Sequence, residues 1–99
     1  MNDTASHGEK IKSRIIAAGL DLWRSDPASV TARRVGAALG MTHSAILYHF
    51  GTSDGLKAAI AVEAVKIGDA SIVPQLIVAN HPAAAGIEPD RRRAFLAAC

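Results

Sequence analysis

The sequence predicts an all-α chain: a three-helix unit built on a helix-turn-helix, then a fourth helix and a short helical C-terminal extension. Three observations predict it. Apolar residues recur at three- and four-residue spacing, with few of the alternations that mark a strand. Ser, Thr and Asp stand where helices would start, and glycines stand where they would stop. The stretch TARRVGAALGMTHSAILYHF, Thr31 to Phe50, reads as two short helices around a tight glycine turn, the arrangement called a helix-turn-helix.

Each element has its own signals. Ser6 and Glu9 form an S-x-x-E capping box that starts helix 1, placing it near residues 8 to 25. Ile11, Ile15, Ala18 and Leu22 make one apolar stripe, widened by Ile16, Gly19, Leu20 and Trp23;. Asp26-Pro27 ends the helix, because proline disfavours helical geometry in the residue before it;. Thr31 caps helix 2, expected to about residue 39, with Val35, Ala38 and Leu39 on its inner face;. Gly40 takes the C-terminal cap, and Thr42 caps helix 3, near 43 to 49;. Ile46, His49 and Phe50 are expected to point inward from helix 3, and His43, Ser44, Leu47 and Tyr48 outward;.

Gly51 closes helix 3, and Thr52 or Ser53 caps helix 4, which starts near residue 54 with Asp54 against its dipole;. Leu56, Ile60, Glu63 and Ile67 share one face of it, with Ala59 and Ala64 beside them, and Gly68 is a stop. Pro74 excludes a central strand from SIVPQLIVA, Ser71 to Ala79;. That segment is read as helical, either kinked from helix 4 or starting afresh near Pro74. Asn80-His81-Pro82 breaks it, and Pro89 opens a last helix carrying Arg91, Arg92 and Arg93, read as a solvated face;.

Composition narrows the function. With 99 residues and 49% hydrophobic content, the chain suffices for one small domain, and dimerisation would help bury its apolar surface. The formal charge of +2 permits nucleic-acid binding without demanding it;. Cys99 is the only cysteine, so an internal disulfide is excluded;. No apolar run approaches the ~20 residues that cross a bilayer, and MNDTASHGEK has no signal-peptide core;. A cytoplasmic protein without membrane contact is expected. His7, His43, His49 and His81 lack metal-ligand spacing, and no nucleophile, base and orienting group stand together;. Neither a metal, a cofactor nor an enzymatic activity is expected.

Three motifs now stand in order. IIAAGLDLW (Ile15 to Trp23) resembles the helix 1 signature of the TetR transcriptional regulators. VTARRVGAALGM (Val30 to Met41) resembles their helix 2 and turn, and Ile46 to Phe50 resembles their L-Y-x-H-F recognition-helix end. Thr52 to Leu56 loosely matches their S-K-x-x-L. The resemblance covers about Lys10 to Leu56. It implies a sequence-specific DNA-binding regulator, with repression the expected effect and double-stranded DNA the partner. Two family phosphate contacts are replaced: the usual tyrosine falls at Leu47, beside Tyr48, and the usual lysine at Ser53. Only some 40 residues follow Leu56, too few to enclose the family's ligand pocket;. No small-molecule inducer is expected.

The expected DNA surface is Thr31, Arg33, Arg34, Thr42, His43, Ser44, Leu47, Tyr48 and Ser53. Arg33 stands where the family often places a base-reading residue, and arginine reads guanine with two hydrogen bonds. Arg34 is assigned to phosphate or solvent. His43 and Ser44 start the recognition helix, where base edges are reached. Thr42 serves as both cap and phosphate ligand, and Tyr48 extends its hydroxyl to a phosphate; Leu47 either meets a thymine methyl in a groove or stands as an exposed apolar residue that suits a protein partner. Lys10 and Lys12 either reach phosphates or remain solvated; Arg14 is read as solvated.

The chain divides, on this reading, into a helix-turn-helix region at 1–56 and a helical extension at 57–99. The extension is expected to form a two-fold homodimer through Ile72, Leu76, Ile77, Phe95 and Leu96;. The opposing reading of those residues is a monomer core. A rival function of a different class is a protein-interaction module that heterodimerises with a full-length regulator and binds no DNA. Salt-dependent binding to duplex DNA separates the two.

Overall fold

The computed structural model describes residues 3–97, with side chains from 8 to 97. Among them are six α-helices and no strand: α1 (Asp3–Ser25), α2 (Ala32–Leu39), α3 (His43–Phe50), α4 (Ser53–Ile67), α5 (Ile72–Val78) and α6 (Pro89–Ala97). Two single 3-10 turns, Pro27–Ser29 and Pro82–Ala84, precede α2 and follow α5. The all-α expectation holds. None of these helices is long and apolar enough to cross a membrane. The chain separates into two compact units, one up to Ile60 and the other from Ala61, with the boundary inside α4.

In the first unit, α1 begins at Asp3, five residues before the expected start. Ser6 therefore lies within the helix rather than at its cap, and its side chain falls outside the described residues. The residues following α1 behave as the Asp-Pro signal predicts. The Asp26 carboxylate accepts from the Ala28 N–H at 3.1 Å, and the Ser29 hydroxyl donates to the Asp26 carbonyl at 2.6 Å. The side chains of Ile15, Val30, Val35, Ile46, Leu56 and Ile60 are fully buried, each contributing about 1.5–3 kcal/mol of transfer free energy. Gly19 belongs to this core because Ile60 lies where a Cβ would be.

The inner face of α2 differs from expectation. Ala32, Val35 and Gly36 are buried and Leu39 is half-buried, whereas Ala38 is exposed. The buried line follows 32, 35, 36 and 39, one helical face, and Ala38 stands about 100° away from Leu39 around the axis. Gly40 adopts φ +70°, the left-handed conformation expected of it. The N–H groups of Gly40 and Met41 both donate to the Gly36 carbonyl, tying the turn to the helix that precedes it;. Gly36 is needed here for a different reason: a Cβ would strike the Met41 carbonyl oxygen.

The second unit buries Ala61, Ala64, Ile72, Val73, Leu76, Ala84 and Ile87. Ile72 and Leu76, expected in a dimer interface, are 0% and 2% exposed within the chain itself. That expectation is corrected: a side chain already removed from solvent has no area left to bury against a partner. On α4 the buried line is Leu56, Ile60, Ala61 and Ala64; Glu63 is half-buried and Ile67 exposed. α5 starts afresh rather than as a kink of α4. The Asp69 carboxylate accepts from the N–H groups of Ser71 and Ile72, both at 2.9 Å, so two orphan donors are satisfied at the new start. Pro74 lies in its first turn, where a missing N–H costs nothing;.

The arginine run at 91 to 93 is not a uniform solvated face. Arg92 is half-buried and donates through Nε to the Ile87 carbonyl at 3.0 Å. Its Nη2 donates to the carbonyls of Ala84 at 2.9 Å and Ala85 at 3.3 Å. Two of these carbonyls close the 3-10 turn and the third lies just before α6, so one guanidinium fastens α6 to the loop before it;. Arg91 stacks over the Phe95 ring at 5.7 Å from its centroid, and Arg93 pairs with exposed Asp90.

Candidate nucleic-acid interface

Three threonines start the three helices that carry the candidate surface. The Thr31 hydroxyl accepts from the Arg34 N–H at 3.1 Å, Thr42 from Ala45 at 3.1 Å, and Thr52 from Gly55 at 2.9 Å. Each satisfies one of the donors a helix leaves orphaned at its start. Between Thr52 and Ser53, the two expected capping candidates, it is Thr52 that caps; Ser53 is the first helical residue and is exposed.

Only Ile46 is fully buried on α3. Its inward side is completed by half-buried Ala45, His49 and Phe50. His43, Ser44 and Tyr48 are exposed on the opposite side, with Tyr48 at 85%. The spacing pairs His43 with Leu47 and Ser44 with Tyr48 as neighbours one turn apart. Leu47, expected to point out, is instead half-buried. The His49 ring meets Tyr48 edge-on with centroids 5.3 Å apart, leaving the tyrosine in solvent. This short helix therefore offers an imidazole, a hydroxyl and a phenol on one side, and anchors itself with isoleucine on the other.

On α2, Arg33 and Arg34 are both exposed but diverge by about 100°;. Arg33 shares its side with Ala37, and Arg34 shares its side with Ala38, at four-residue spacing. Neither guanidinium has a partner among the described residues. The two arginines thus serve different surfaces, a separation invisible in the adjacent letters of the sequence. Lys57, which the motif reading passed over, is exposed one turn after Ser53 on the same side of α4;. It supplies a cation close to the place where the expected family lysine is missing, and the i+4 spacing from Ser53 was the available signal. Among the described residues, no group of three His, Cys, Asp or Glu side chains could hold a metal ion.

No family model, curated protein or solved structure matches the chain. Fold and site therefore rest on the residues themselves.

Proposed function

We propose that the chain is a sequence-specific DNA-binding regulator of TetR-like helix-turn-helix type, acting as a repressor. The observation that carries the reading is α3. An eight-residue helix follows a glycine turn and holds itself by one buried isoleucine. Its other side exposes His43, Ser44 and an 85% exposed Tyr48. An exposed aromatic among hydrogen-bonding groups suits a wet, polar groove better than a dry protein core. In this reading His43 and Ser44 reach base edges, Arg33 reads guanine from α2, and Leu47 offers a methyl contact to thymine. Thr31, Thr42, Tyr48, Ser53 and Lys57 meet phosphates, which supply most of the affinity and position the helix.

One such unit touches few phosphates, so the reading calls for a homodimer on two half-sites about 34–36 Å apart. With Ile72 and Leu76 buried, the large apolar side chains left exposed for pairing in the second unit are Val62, Ile67, Val78 and Leu96, with Ile77 and Phe95 half-buried.

Selection of bound duplexes from a random library tests the proposal, and a palindrome should emerge. On the selected site Arg33→Ala should weaken binding by ~1–3 kcal/mol and relax preference at one base pair. Tyr48→Phe should weaken binding to all duplexes alike. No enrichment, together with salt-independent residual binding, would overturn the DNA reading and favour the heterodimerising module.

A further inference from the structure

One edge of the α1 apolar stripe, Ile11, Ala18 and Leu22, is only half-buried, whereas Ile15 on the same stripe is in the core. Along it runs a trough walled by α1 on one side and α2 with its turn on the other. One hollow of about 480 Å³ is lined by Arg14, Ala18, Asp21, Leu22, Ala38 and Leu39, among others. A second of about 280 Å³ continues it over Ile11, Arg14, Leu39 and Met41. Arg14 and Leu39 belong to both, so the two are one surface. From Ile11 to Ser25 it follows about 20 Å of α1. Ala38, which the sequence pattern assigned to the core, is exposed because it forms part of this wall.

Within the two hollows of the trough the unpaired charge, among the described residues, is that of Arg14, whereas the further hollow beyond it sets Glu9 beside Lys10. Asp21 is paired with Arg24 at 2.8 Å, whereas Arg14, at the junction of the two hollows, has no partner. Arg34 shares its side of α2 with Ala38, and Lys10 lines a further hollow that also includes Arg14. The floor between these cations is aliphatic: Ile11, Ala18, Leu22, Leu39 and Met41. Phosphate would find cations here but no donors on the floor, and it would desolvate aliphatic surface for nothing. A small molecule would remain largely in solvent, because the walls at Ala17 and Ala38 are exposed;. An amphipathic helix fits both features, since its apolar stripe covers the floor and its flanking carboxylates meet the cations.

We infer that the α1–α2 trough is a docking groove for an acidic amphipathic helix of a partner protein, with Arg14 as the cation that selects the acid. The inference does not depend on the DNA reading: Arg14, which carries it, belongs to no expected DNA contact, although Arg34 borders both surfaces.

The test uses the full chain and two fluorescein-labelled helical peptides of roughly 14 residues, a length that matches the trough. Both carry leucines at i, i+4 and i+7; one flanks them with glutamates, the other with lysines. The acidic peptide should bind saturably and at least ~10-fold more tightly than the basic one, a factor of ten being about 1.4 kcal/mol. Arg14→Glu should remove or invert that preference, and Ala38→Arg should fill the trough and abolish binding of both. Both positions are exposed, and unchanged circular dichroism verifies that the variants fold. Equal binding of the two peptides, no saturable binding, or indifference to both variants would overturn the inference. So would displacement of the acidic peptide by mixed-sequence duplex DNA, which would make the trough a phosphate surface. Self-association lost in Ala38→Arg would likewise overturn it, making the occupant a second copy.

Discussion

Three adjacent arginines in α6 have three different roles, and only geometry separates them. Arg92 is the one whose side chain turns back onto the carbonyls of Ile87, Ala84 and Ala85 in the loop before α6. Arg92→Ala should destabilise the second unit by about 1–3 kcal/mol, measured by denaturant unfolding, because a charged donor and several acceptors lose one another. Arg92→Lys should recover only a minor part, since an ammonium lacks the planar fork. Arg91→Ala and Arg93→Ala should stay within about 0.5 kcal/mol of the parent, as expected for exposed positions. Sequence could not rank these residues. Successive side chains on a helix differ by about 100°, and the sequence does not say which direction faces the loop carbonyls. The same limit hid Asp69, whose capping of α5 depends on a turn that no motif announces. Thr31, Thr42 and Gly40 were legible, because each acts on backbone within four residues of itself.

At the scale of elements, the starts of α2, α3 and α4 and the stops at Gly40 and Gly51 were readable, the start of α1 was not, and the faces were less so. Alanine is the reason. It is small enough to lie in a core or outside it, so Ala38 and Ala61 carried no directional signal, and the buried faces of α2 and α4 came out rotated from their expected lines. The candidate DNA face of α3 was clearer, since Ile46 and Tyr48 differ sharply in where they are stable. Only Leu47, apolar on a polar side, was misjudged. The α2–α3 connection makes a strong demand at Gly36. Gly36→Ala places a methyl group against the Met41 carbonyl oxygen, and backbone, unlike a side-chain end, cannot swing aside. The substitution should cost about 1–3 kcal/mol despite alanine's better helix propensity, as for other overpacked sites. A thermal melt equal to or above the parent's would show that the turn has slack.

At the scale of the whole molecule, the division into two units falls four residues beyond the expected boundary at 56, inside α4. The expected extension was right in being helical and wrong in how it uses its apolar residues. Composition reports how much apolar surface exists, but it does not say whether the chain itself or a second copy covers it. Pairing through the remaining patch has a direct check. Sedimentation at micromolar concentration should give a dimer, and Leu96→Asp or Val78→Asp should convert it to a monomer without loss of helicity, since both side chains are exposed. A parent that already sediments as a monomer would exclude that surface.

The division also makes the molecule optically lopsided. Trp23, the only tryptophan, and Tyr48, the only tyrosine, both belong to the first unit. The second has no near-ultraviolet reporter stronger than Phe95. Emission from half-buried Trp23 therefore follows the melting of one half, whereas far-ultraviolet dichroism records helices from both. If α4, which belongs to both, makes the halves melt together, the two signals will trace a single curve in urea. If the second unit opens first, ellipticity will fall while the emission maximum holds, and the gap between the curves will measure how much of the fold each half sustains alone.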